Sequence, residues 1–459
     1  MIKRNLLLIC LAFSLQLSAQ SSKMFSKTEV IQDLDYLYKA LKESHYNLFA
    51  YTPEAQYDDV HNHLKTSINK DSLSLLEATT ILQQLTSSAQ NGHTEIGFPG
   101  QSYIEFASAG GKLFPLELAI EGDRTLVRKN WSNQTISPGT QVVAIDDVPI
   151  QEILTKIYPQ ISAERTYFKN AKLEMFSFPR YYWQVFGEKD NFKIEVLSNG
   201  ERKTLNLSAI EAIEDYEMKR EEILSSKMEL RFLGSTAFLN PGNFGGDTEI
   251  YQSFIDSSFT RIQEAEIENL IIDLRNNAGG DDSFSDYLVS YIADRPFLWT
   301  SNFSLKSSQL LKDQVRKERD TTQPFWREVL VHKNDEIYPY KFEAFKPQPE
   351  AKRFKGDVFV LINRQSHSQS AVTAAQIQDY DFGTIVGEET GDYPSLYASV
   401  FYFQLPNTGT TVQVSKGRII RVNGSTAEEG VIPDIFIKDY LLDENDEILN
   451  GLLQKLQNE

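Results

Sequence analysis

Ser368 sits between two segments of opposite character. Val358 to Ile362 is an unbroken apolar run that reads as a buried strand, and Ala371 to Asp379 reads as a helix. A strand that turns straight into a helix presents a side chain at the helix N-terminus, where free N–H groups and the macrodipole favour negative charge. That environment suits a nucleophilic oxygen. It suits capping equally well, and Ser366, Ser368 or Ser370 could each cap this helix. A second strand pattern, Leu270 to Leu274, runs into Gly279 and Gly280. Paired glycines let backbone N–H groups approach a ligand closely, and such groups can stabilise a tetrahedral oxyanion.

A serine hydroxyl needs a base within hydrogen-bond reach. The chain has six histidines. His61 and His63 fall on a solvated helix, His45 in a packing context and His332 in a polar stretch. His367 adjoins Ser368, and neighbours on so tight a turn are expected to point apart. His93 lies on the Gly-containing turn Asn91 to Thr94, between a helix and an apolar-aromatic strand. The residues alone leave it either a turn residue or a base.

Together, Asp273 to Gly280 (DLRNNAGG), the strand-Ser-helix unit, Val386 to Gly391 (VGEETG) and Glu428 to Ile435 (EEGVIPDI) resemble the core of the C-terminal processing (tail-specific) serine protease family. The turn NGHT resembles the DGHT element of the histidine-using, tricorn-like branch. Val30 to Leu64 resembles the helical cap of bacterial secreted members, and Ile136 to Ile150 the end of a PDZ-like domain. The resemblance implies Ser368 as nucleophile and His93 as general base. It implies Glu428 as the carboxylate orienting that base, with Glu429 as fallback. The oxyanion hole would use N–H groups of Gln369 and of Gly279 or Gly280. The lysine used by other members is replaced here by Tyr393. Asn91 stands where the family has aspartate, Ala371 where a glutamate often follows the serine, and Ala427 at the usual glutamate position.

The expected fold is therefore α+β and multidomain. Residues 1–20 form a signal peptide, with Lys3 and Arg4 ahead of an apolar run and a cleavage site near Ala19 and Gln20. A helical cap occupies 21–98, a PDZ-like β-rich domain 99–208, and a linker helix 209–227. An α/β protease core of crotonase-like, ClpP-like type, with a mixed and largely parallel sheet, spans 228–445 around a polar insertion at 303–353. A C-terminal helix covers 446–459. Phe232 to Asn240 is expected as one strand.

Composition narrows the function classes. The single cysteine, Cys10, falls in the leader, which excludes disulfides, thiol catalysis and cysteine-bound metals from the mature chain. The balance of 46 basic against 64 acidic residues argues against nucleic acid and anionic membranes as partners. No metal or cofactor is implied, and no membrane span after the leader. The expectation is a periplasmic or extracellular serine endopeptidase acting on polypeptides, with the substrate's C-terminus recognised by the PDZ-like unit. A non-catalytic peptide binder of the same fold is the rival reading, and a small-molecule esterase or amidase a third.

Overall fold

Runs of Val, Ile and Leu without polar alternation form strands buried on both faces, the signature of a parallel sheet. In the computed structural model, which describes residues 23–224, 227–442 and 445–458, these runs build a six-stranded sheet. Its spatial order follows the chain: β1 (Met228–Leu233), β2 (Thr236–Pro241), β3 (Asn269–Asp273), β4 (Asp357–Ile362), β5 (Thr384–Gly387) and β6 (Ile435–Phe436). The β1–β2 pair is antiparallel and every other pair parallel. The single strand expected over Phe232 to Asn240 is thus a hairpin, because Gly234 takes a positive φ of 67° and reverses the chain. Helices Thr248–Glu264, Asp282–Val289 and Gln369–Asp379 cover one face, and Glu447–Leu456 the other. The expected signal peptide lies outside the described residues.

The N-terminal helices Lys27–Ser44 and Leu75–Ser87 begin at Ser26 and Ser74, each in a capping box with Glu29 or Glu77. Leu34, Leu37 and Leu41 on the first helix, and Leu48 just beyond it, are all buried. Their apolar cluster is shared with a second sheet of four antiparallel strands, Asn302–Lys306, Ile337–Tyr340, Leu396–Gln404 and Thr411–Ile420. Two of those strands come from the 303–353 segment or its edge, so that segment is folded into the layer above the core.

Residues 112–217 form the third unit, an antiparallel sheet of Leu116–Glu121, Arg124–Asn130, Gln141–Ile145, Asn191–Ser198 and Glu201–Ser208. Helices Ile150–Ile157, Thr166–Phe176 and Phe178–Phe186 pack on it. The segment 209–227 departs from the expected linker helix. Among its described residues only Ala212–Glu217 is helical, because Tyr216 and Arg220 are pulled inward to the buried Glu117 carboxylate.

Candidate active site

Three loops leave the C-terminal ends of parallel strands β3, β4 and β5 and meet at one point, the usual place for a ligand in an open α/β sheet. The loop after β4 carries the three serines, and the structure separates their roles. Ser366 and Ser370 donate their hydroxyls to the Leu274 carbonyl at the end of β3 (2.8 and 3.1 Å), bracing the turn. Ser368 occupies the N-cap position of helix Gln369–Asp379, yet its side chain makes no capping bond. Its backbone is at φ 53°, ψ −124°, a conformation that a non-glycine residue adopts only when its surroundings impose it. The imposing contact is the Ser368 N–H, which donates to Asp392 Oδ2 at 2.8 Å.

The glycine pair after β3 packs directly on this elbow. A Cβ on Gly279 would stand 2.7 Å from the Gln369 nitrogen and the His367 carbonyl. One on Gly280 would stand 1.8 Å from the Phe244 carbonyl oxygen. Both positions therefore require glycine. The Gly279 N–H is already donated to Asn277 Oδ1 at 2.8 Å. Gly280, Gln369, Ser368 and His93 share the lining of one cavity of about 490 Å³. Beside the elbow, fully buried Arg364 binds Glu174 (2.7 Å), Glu388 (2.8 Å) and Glu121 (3.0 Å), locking the 112–217 unit onto the core.

His93 reaches the cavity from the opposite side. Its turn follows the helix Leu75–Ser87 and joins the four-stranded sheet through a bridge between Glu95 and Gln413. Two residues of the 112–217 unit clamp it. Glu164 Oε1 accepts from Asn91 Nδ2 and from the Gly92 N–H, both at 2.9 Å. Lys172 Nζ donates to the Gly92 carbonyl (2.7 Å) and to Glu95 (2.9 Å). Gly92 is required here too, since a Cβ would stand 2.7 Å from the Phe168 ring. The clamp explains Asn91 in place of aspartate. Its amide donates to Glu164 while its Oδ1 accepts from Ser415 Oγ (2.7 Å), and a second carboxylate facing Glu164 would repel it.

Neither ring nitrogen of His93 has a hydrogen-bond partner. Its ring stacks on His367, with centroids 5.0 Å apart and planes within 13°. The expectation that His367 points away is corrected: the left-handed turn at Ser368 swings the side chain preceding it back over His93. Asp392 faces both imidazoles, its Oδ2 3.8 Å from His93 Nε2 and 3.5 Å from His367 Nε2. Burial lowers His93 from the usual imidazole range to about 4, with Glu164 pulling upward and Lys172 downward. Burial raises Asp392 to about 6, opposed by the Ser368 N–H. Burial and the Asp392 charge together raise the Glu164 carboxyl.

The structure brings Ser368, His93, Gly280 and Gln369 together, with Gly279 packed against the elbow. It leaves Glu428 and Glu429 exposed on the loop before Gly430, where the charge of Glu428 falls on Tyr51 and Tyr393. The carboxylates around His93 are instead Asp392, Glu164 and Glu95. Asp392, Glu164 and His367 carry no role in the motif reading. Asp392 did leave a signal, an acidic residue right after the glycine that ends VGEETG, on a loop leaving a buried strand.

Comparison with known proteins bears on this arrangement. Residues 242–437 match the family described as Peptidase family S41. The chain is 28% identical over 180 residues to the tail-specific protease of Haemophilus influenzae; the match covers 38% of this chain and 21% of that protein's length. The fold is similar to that of mature CPAF complexed with lactacystin, at a TM-score of 0.65 and 17% identity over 94% of this chain and 97% of that one. A second structure of mature CPAF gives 0.60 and 16% identity over 89% and 92%. Four of the six strands and the three converging loops fall within the matched segment, so residues 242–437 carry the peptidase family S41 match, in line with the C-terminal processing proteases that the motifs resemble.

Proposed function

We propose that this protein is a serine endopeptidase that cleaves polypeptides through an acyl-enzyme on Ser368. The observation that carries the reading is the Ser368 elbow: a non-glycine residue at positive φ, at a helix N-terminus, opening on the cavity that His93 also lines. In the reaction, Ser368 Oγ attacks the scissile carbonyl carbon while His93 takes its proton. The oxyanion is met by the N–H groups of Gln369 and Gly280, the Gly279 N–H being committed to Asn277. Collapse expels the amine, which takes the proton back from His93. Water, deprotonated by the same imidazole, then releases the acid and restores Ser368.

The orienting carboxylate in this proposal is Asp392. Its Oδ2 lies 3.8 Å from His93 Nε2 and also accepts the Ser368 N–H, so one side chain reaches both partners. The role first expected for Glu428 requires its loop to fold inward over His93. Asp392→Asn and Glu428→Gln separate the two. A loss of about a hundredfold or more in the first, with the second near wild type, favours Asp392, and the reverse favours Glu428.

The far wall of the cavity comes from Trp299 and Phe303 with Phe325, Trp326 and Phe342 of the 303–353 segment. Arg319 and Lys416 both lie over the Trp326 ring. Such a wall fits a large apolar side chain beside the scissile bond and disfavours a basic one. Recognition of a free C-terminus by the PDZ-like residues 99–208, and export by the leader 1–20, belong to the same proposal. They rest on the Ile136 to Ile150 resemblance and on the leader pattern. Among the described residues no helix is long and apolar enough to cross a membrane.

The unpartnered His93 nitrogens favour the rival, a binder that has kept the fold without its chemistry. A fluorophosphonate probe decides between them. An adduct mapped to Ser368 in the wild type, absent from Ser368→Ala and His93→Ala, supports the peptidase. A folded wild type that binds peptides but takes no adduct supports the binder.

A further inference from the structure

Catalysis as proposed needs one imidazole, yet the site holds two. His367 contributes nothing to the oxyanion donors and does not line the cavity, but its ring lies against His93 and its Nε2 faces Asp392 without a hydrogen-bond partner. The Ala278 backbone beside its ring favours the charged imidazole. A histidine with an unpartnered nitrogen facing a carboxylate and a second imidazole is placed where a metal ligand would be. His93, 5% exposed, offers two more unpartnered nitrogens beside it.

We propose that His93, His367 and Asp392 form a zinc-binding site that switches the active site off. One ligand atom from each lies within 4.8 Å of the other two. Zinc held at its usual bond lengths in a tetrahedron sets neighbouring ligand atoms roughly 3.3 Å apart and two imidazole centroids roughly 5 Å apart. The observed separations are 3.5 and 3.8 Å from the nitrogens to Asp392 Oδ2, and 5.0 Å between ring centroids. Because the ring planes are near-parallel, closing the set requires one imidazole to rotate so that both lone pairs aim at the common point, with the fourth position left to water or to Ser368. Of the charges facing the point, Glu164 and Glu95 favour a cation and Lys172 opposes it. Two imidazoles and a carboxylate match zinc better than calcium or magnesium, which prefer oxygen.

Ligation through His93 Nε2 would shift the ring proton to Nδ1 and so remove the lone pair that His93 uses as a base. The inhibitory half of the proposal therefore rests on the peptidase reading, and the binding half does not. The test begins with chelator-treated mature protein titrated with cobalt(II) chloride and with zinc chloride. Expected are one high-affinity ion per chain, a tetrahedral cobalt absorption band, and displacement of cobalt by zinc. His367→Gln and Asp392→Asn should each weaken binding by more than about tenfold, while exposed His63→Gln leaves it unchanged. Zinc should slow fluorophosphonate labelling of the wild type, chelator should restore it, and the rate of His367→Gln should not respond to zinc. Absence of a bound ion, or binding that survives both ligand substitutions, overturns the site. Cobalt binding in a protein that never labels, even when metal-free, upholds the site and overturns the peptidase reading instead. Labelling that zinc leaves unchanged despite binding overturns the inhibitory half.

Discussion

The nucleophile elbow and the His93 turn meet at the same cavity but are built in different ways. The elbow is held mainly by its own domain: β3 accepts two serine hydroxyls, Gly279 fills the space behind Ser368, and Asp392 comes from the loop after β5. The His93 turn lies outside that domain and is held from two sides. Glu164 and Lys172 from the 112–217 unit clamp it, and Ser415 and Gln413 of the four-stranded sheet anchor it. Stability of the S41 domain alone would thus preserve a shaped nucleophile without its base. Docking between units decides whether the base is in place, and activity becomes a readout of interdomain packing.

The largest effect that breaks this comparison is expected at the elbow. Gly279→Ala places a methyl against the Gln369 nitrogen and the Ser368 side chain, at a φ of 82° that L residues rarely adopt. Labelling should fall by about a hundredfold or more, with a stability loss beyond about 1 kcal/mol read by chemical denaturation. A variant that labels normally would mean the elbow tolerates displacement and is not the organising feature.

Asn91→Asp should act more gently and only on the other region. It sets a carboxylate against Glu164 and removes the amide donor. Labelling should drop by about tenfold while the S41 domain stays folded, and Asn91→Asp combined with Glu164→Gln should recover part of the loss. Equal loss in the single and double variants would show that the clamp does not position His93.

A smaller effect separates the two titrating partners. The base works when His93 is neutral, above about 4, and when Asp392 is ionised, above about 6. As pH falls, the Asp392 condition fails first, so the acid limb of the labelling rate should lie near pH 6. In Asp392→Asn that limb should move toward 4 on a lower plateau. A limb that stays in place in the variant would remove Asp392 from the catalytic pair.

Much of this was legible in the chain because it is local. The apolar run Val358 to Ile362, and Leu270 to Leu274 broken only by Asp273, read as strands buried on both faces, and Leu34, Leu37 and Leu41 are buried. Gly279 and Gly280 announce a close backbone approach, since a side chain there has nowhere to go. What the sequence could not supply was which distant groups share a point in space. Three serines within five residues look alike until the Leu274 carbonyl claims two of them. The motifs pointed to Glu428 with Glu429 as fallback, and only the path of the loop after β5 brings Asp392 to His93 and leaves Glu428 in solvent. His367 turns toward His93 because Ser368 takes a positive φ, a conformation enforced by contacts from two other strands' loops. Local sequence determined the strands, the elbow and the glycines. Tertiary packing, through burial and the Asp392 and Glu164 hydrogen bonds, decided which ionisable groups face one another.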